Sequence, residues 1–134
     1  MMYNIYTGRG GVVQRQNADI VILVSSLPKL AEANQPFVFT DRHAYVMTAR
    51  FFNNPASLNE IDWTLLQNRN FTRSADDPEK VERYQAEALV YGGLPVTSLL
   101  GLVCYGEQQK TELEQLMLNR NLALEVHNIP GWYF

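Results

Sequence analysis

With one cysteine, Cys104, the chain has no partner for an internal disulfide, so no covalent staple holds it and no oxidising compartment is implied. Long apolar runs are missing as well. The longest, Ile20-Val21-Ile22-Leu23-Val24, falls far short of the roughly 20 residues that a membrane-spanning helix needs. The N-terminus lacks the basic, then apolar, then small-residue order of a secretory signal, and the expectation is a cytoplasmic protein with no membrane partner. Excess positive charge is absent too. A net charge of −3 excludes a general electrostatic pull toward nucleic acid and leaves such binding to a local basic patch.

Several catalytic signatures are also missing. No P-loop, no Gly-x-Ser-x-Gly elbow, no zinc-type Cys/His spacing and no His-Glu-x-x-His occurs, and no metal is expected. Gly8-Arg9-Gly10-Gly11 and Gly92-Gly93 lack the strand-then-helix context of a dinucleotide fingerprint and read as turns. Cys104, inside an apolar segment, reads as a small core residue.

What remains is a folded composition. The 134 residues are 46% hydrophobic and 19% charged, about one domain with room for a real core. Residues 1–7 resemble the tail of a helix without its start. The β-branched stretch 18–26 predicts a central strand buried on both faces, followed by a short helix over 28–34 capped by Ser26. Residues 36–41 are extended, with Phe37 and Phe39 on one face. Tyr45, Thr48, Ala49 and Phe52 recur at helical spacing and predict a helix over 42–52, capped by Thr40 or Asp41. A brief turn leads to Trp63. The hydrophobic pattern then disappears over 67–82, a long polar loop of the kind that is often functional. Further strands are predicted at 83–91, 99–105 and 122–126, with an amphipathic helix over 107–120 and a packed aromatic end.

Three features can carry chemistry. Glu87 sits where a strand over 83–91 would place it beside Leu89 and Tyr91, and a carboxylate on an apolar face is either a satisfied structural acid or a cleft group. Arg42-His43 follows a strand, where histidine is either a capping residue or a site group. In the loop, Arg69, Phe71 and Arg73 supply guanidinium groups and a stacking face, as single-stranded nucleic acid requires. Asp76, Asp77, Glu79 and Glu82 follow directly, so a merely solvated loop would look much the same.

Taken together, the blocks Phe37-Val38-Phe39-Thr40-Asp41-Arg42-His43, Ala49-Arg50-Phe51-Phe52, Ile61-Asp62-Trp63, Gln85-Ala86-Glu87-Ala88-Leu89-Val90-Tyr91 and Gly131-Trp132-Tyr133-Phe134 resemble the DarT family of DNA ADP-ribosyltransferases, the toxins of the DarT–DarG system. The Gln-Ala-Glu pattern is most similar to the thymidine-modifying branch. The resemblance implies an α+β fold, a mixed split-sheet ADP-ribosyltransferase-like core, and transfer of ADP-ribose from NAD to thymidine in single-stranded DNA. It implies a macrodomain antitoxin of the DarG type as partner. By the same correspondence Glu87 is the catalytic glutamate, His43 an active-site histidine, and Asn68, Arg69, Asn70, Phe71 and Arg73 are candidate DNA contacts.

Family members begin further upstream, with a strand and a helix that carry NAD-binding residues just before the segment resembling Met2-Tyr3-Asn4-Ile5-Tyr6. The correspondence therefore implies an N-terminally truncated, C-terminal portion of the domain, with the main NAD-binding residues upstream of Met1 and weak activity on its own. The alternative is a non-catalytic remnant that binds DNA or the antitoxin.

Overall fold

The computed structural model describes residues 2–70 and 72–133. The chain divides into two compact units, one formed by Met1–Lys29 with Pro95–Phe134 and the other by Leu30–Leu94. Each carries its own three-stranded sheet, consistent with the mixed, split-sheet α+β expectation.

The first unit contains helix α1 (Met2–Thr7), strand β1 (Ile22–Val24), strand β5 (Gly101–Cys104), helix α5 (Glu107–Asn119) and strand β6 (Glu125–Asn128), with strand order β1-β5-β6. β1 runs antiparallel to β5, while β5 and β6 are parallel and joined by α5, the crossover that a parallel pair requires. Every residue of β5 is buried, because it is the central strand. Leu102, Cys104 and Val126 form the core, against which Leu113 and Met117 of α5 and Leu124 pack. Gly101 is required in β5: a Cβ there would stand 2.9 Å from the Glu125 carbonyl oxygen. The aromatic end closes onto this unit through the buried Tyr133. Its hydroxyl lies 2.8 Å from the Val103 carbonyl and 3.0 Å from that of Ile20, with one proton to donate between them.

Three expectations change here. The segment 18–26 is not a central strand. Residues Asn17–Asp19 form a 3-10 turn, and β1 is an edge strand whose Leu23 is 61% exposed. The last strand starts three residues later than the expected 122–126 and ends at Asn128. On α5 the apolar face is narrower than its periodicity promises, since Leu116 and Leu118 are exposed.

The second unit holds the residues of interest. Helix α2 (Leu27–Glu32) spans the division at Lys29, and after it come β2 (Phe37–Thr40), β3 (Phe51–Phe52), α3 (Trp63–Asn68), α4 (Lys80–Arg83) and β4 (Ala88–Val90). The sheet order is β3-β2-β4, antiparallel throughout, with Phe39 opposite both Phe52 and Ala88. Phe39 is buried with Leu30 and Ile61, and its ring stacks on Phe52 at 5.4 Å. Ser26 does cap α2, accepting the Lys29 N–H at 3.2 Å.

The predicted helix over 42–52 does not form. That stretch is a series of turns ending in β3, and Tyr45 and Met47 stand almost fully in solvent. The cause is Asp41. Its carboxylate accepts the Arg50 N–H at 3.0 Å and the Arg50 Nε–H at 2.8 Å, so it closes a nine-residue excursion instead of capping a helix. The strand predicted at 83–91 also shortens. Arg83 ends α4, 84–85 are a turn, and β4 begins at Ala88, so Glu87 precedes the strand. The face it was assigned with Leu89 and Tyr91 is largely exposed. The long loop contracts to 69–79, with α3 running on to Asn68 and α4 taking its far end.

Candidate active site

Thr40, at the end of β2, is 1% exposed and fixes the main chain of Glu87. The Thr40 N–H donates to the Glu87 carbonyl at 2.9 Å, and the Glu87 N–H donates to the Thr40 hydroxyl oxygen at 3.2 Å. That hydroxyl donates in turn to the Arg42 carbonyl at 2.5 Å. One buried threonine thus joins the residue before β4 to the turn that follows β2.

The turn delivers two donors to the Glu87 side chain. Oε1 accepts the Ala44 N–H at 2.8 Å and lies 2.8 Å from His43 Nδ1. The Ala44 N–H, helped by the bond and charge of His43, outweighs partial burial and holds the Glu87 carboxyl below its ordinary 4.5. Glu87 is therefore a carboxylate at neutral pH. An ionised carboxylate only accepts, so the proton of this pair sits on His43 Nδ1. Both bonds fall on Oε1, and among the described residues no hydrogen bond to Oε2 is seen.

Ion pairs brace the turn. The His43 N–H donates to the Glu82 carbonyl at 3.0 Å. Arg42 Nη1 reaches Thr48 Oγ1 at 3.2 Å, Glu79 Oε2 at 3.1 Å and Glu82 Oε2 at 3.6 Å. Burial pushes the Asp41 carboxyl up, but its bonds from Arg50 and the charges of Arg42 and Arg50 prevail and leave it below its usual 3.8. Arg50 continues to Glu60 at 2.8 Å and lies over the Phe52 ring at 5.5 Å.

The structure brings His43 Nδ1 to within 2.8 Å of Glu87 Oε1. The Glu87 carboxylate is held by His43 and Ala44, and the loop residues lie apart from those two bonds. Asn68, the last residue of α3, and Arg69, Asn70 and Arg73 of the loop are exposed, and Phe71 lies outside the described residues. Asn70 Oδ1 accepts the Thr72 N–H at 3.2 Å and its hydroxyl at 2.6 Å, a local turn. Arg69 ends α3 at φ 50°, and its charge opposes the rise that burial imposes on the Tyr84 hydroxyl, three residues before Glu87.

Three of the four acidic residues of this stretch, Asp77, Glu79 and Glu82, are engaged. Asp77 is gripped by Arg83, with Nη1 to Oδ1 at 3.1 Å and Nη2 to Oδ2 at 2.6 Å. Glu79 and Glu82 face Arg42. Much of the acidity that argued against an anionic ligand is thus neutralised internally.

Two contributors were missed in the sequence. The Ala44 N–H carries no sequence signal, because any non-proline residue supplies one. Arg83 had a signal, lying on the edge of the Glu87 stretch and close to a cluster of acids. Among the described residues, no group of three His, Cys, Asp or Glu side chains is placed to hold a metal ion, and no helix is long and apolar enough to cross a membrane.

Solved structures give the class: the fold is that of DarT ADP-ribosyltransferases. Thermus sp. 2.9 DarT in complex with NAD+ matches with a TM-score of 0.87 at 32% identity, over 99% of this chain and 66% of that one. The same enzyme in complex with ADP-ribosylated ssDNA matches with a TM-score of 0.86 at 32% identity, over 99% and 63% of the two chains. The family follows from the sequence. The chain belongs to DarT, because the family model described as "ssDNA thymidine ADP-ribosyltransferase, DarT" matches residues 1–134. A DNA ADP-ribosyl transferase of Escherichia coli O127:H6 (strain E2348/69 / EPEC) is 49% identical over 134 residues, and the chain spans 62% of its length.

Proposed function

We propose that this protein transfers ADP-ribose from NAD to thymidine in single-stranded DNA, with Glu87 as the catalytic carboxylate. One observation carries the reading. Glu87 is ionised and, among the described residues, its hydrogen bonds fall on Oε1, from the Ala44 N–H and His43 Nδ1, so Oε2 is the oxygen assigned to substrate.

The chemistry follows from that geometry. A base nitrogen forms a bond to the anomeric carbon of the nicotinamide ribose as the bond from that carbon to nicotinamide breaks. The electron pair of the broken bond leaves with neutral nicotinamide, and the base N–H proton passes to the Glu87 carboxylate. Positive charge develops on the ribose between these events, and a fixed anion beside it stabilises that state. Before the transfer, Oε2 accepts from a ribose hydroxyl. His43 holds the carboxylate rotamer through Nδ1, and its Nε2 is the nitrogen available to substrate.

Asn68, Arg69, Asn70, Phe71 and Arg73 are proposed to hold the DNA strand, the arginines on phosphates. The same proposal, resting on family membership, makes the protein a cytoplasmic bacterial toxin countered by a macrodomain antitoxin of the DarG type.

The test is direct. Incubation with NAD and a thymidine-containing oligonucleotide should add ADP-ribose to the oligonucleotide and release an equal amount of nicotinamide, slowly for this chain on its own, with no product when every thymidine is replaced. Nicotinamide release without a modified base would overturn the assignment of DNA as acceptor.

A further inference from the structure

We propose that Arg83 is a positioning residue for the DNA strand, acting by holding the 69–79 loop in its binding conformation without touching a nucleotide. The inference rests on the reading of that loop as the DNA contact. The Arg83 fork closes on both oxygens of Asp77, and its Nε donates to Asp62 Oδ2 at 3.2 Å. Asp62 uses its other oxygen to accept the Leu65 N–H at 3.0 Å and so caps α3. One planar group therefore grips the residue that starts α3 and a residue near the far end of the loop. The chain between these two roots includes the exposed residues Asn68, Arg69, Asn70 and Arg73.

Arg83 itself is poorly suited to phosphate. Its side chain is 25% exposed, and its fork is already filled by carboxylates. Its value lies in geometry, because surface-type ion pairs contribute little through charge alone. A loop held in one conformation loses less entropy on binding a strand, so the clamp acts on affinity for DNA and leaves the chemistry at Glu87 untouched. Lysine keeps the charge but cannot grip Asp77 with two parallel bonds and Asp62 with a third.

The experiment compares wild type with Arg83→Lys and, as a milder alteration of the same clamp, Asp77→Asn. Both should raise KM for a thymidine oligonucleotide, on the order of tenfold, leaving KM for NAD and kcat at saturating DNA unchanged. Hydrogen exchange at 69–79 should accelerate while Phe37–Thr40 and Gly101–Cys104 keep their protection. The double variant should be no worse than the worse single one, since both break one clamp. Unchanged loop exchange, or an effect confined to kcat or to KM for NAD, would overturn the proposal. Arg69→Ala and Arg73→Ala separate the two readings. If they leave KM for DNA unchanged while Arg83→Lys still loosens the loop, the DNA reading of the loop fails and Arg83 is only a clamp. If they raise it and Arg83→Lys does not, the clamp proposal fails alone.

Discussion

His43 Nδ1 and Glu87 Oε1 stand 2.8 Å apart although 44 positions separate them in the chain. The pair exists because Thr40 ties both main-chain segments together, so that the turn after β2 presents its side chain and its Ala44 N–H to one carboxylate oxygen. The arrangement defines an anion with a fixed direction.

The pH dependence of transfer follows from the depressed Glu87 carboxyl. Its folded pKa lies under the ordinary 4.5, so the base form persists as pH falls and the acid limb of activity should lie below that value. The stability contribution has the matching sign, being present above the unfolded value and lost as pH falls through the folded one. His43→Ala removes one of the two lowering bonds and should move the acid limb upward. Activity profiles recorded alongside circular dichroism would check this.

Asp41→Asn should destabilise the protein by about 1 to 2 kcal/mol, because the charge-assisted bond to Arg50 Nε is lost from a buried carboxylate whose partner remains half in water. Denaturant midpoints at neutral pH measure the loss. The difference between variant and wild type should shrink as pH drops below 3.8 and Asp41 itself becomes protonated.

Arg69→Ala and Arg73→Ala should weaken binding of single-stranded DNA nearly independently of base sequence. Each should also flatten the logarithmic salt dependence of that binding by about 0.7 for the phosphate contact it removes. Fluorescence anisotropy across a salt series reads both quantities.

How much of this was legible depended on the distance over which each residue acts. Glu87 and His43 stood out by type and by their blocks of neighbours, but the argument from an apolar strand face was wrong: Glu87 is held in front of β4, beside an exposed face. The helix expected over 42–52 failed because Tyr45 and Thr48 mimic helical spacing while Asp41 bonds to Arg50 instead. Nothing local in the sequence reveals that closure. The strand at 18–26 looked central because β-branched runs fit buried strands, yet the centre went to β5, where Gly101 permits the close approach of β6. Asp77 and Glu79 were ambiguous until their partners Arg83 and Arg42 were in place.

The central claim is that the Glu87 carboxylate performs the transfer, and Glu87→Gln tests it most directly. Glutamine keeps the size and can still accept the Ala44 N–H, so the fold and the binding of DNA should persist. Mass spectrometry of a thymidine oligonucleotide incubated with NAD should then show modification slowed by about a hundredfold or more. Modification by the variant at the wild-type rate would contradict the account.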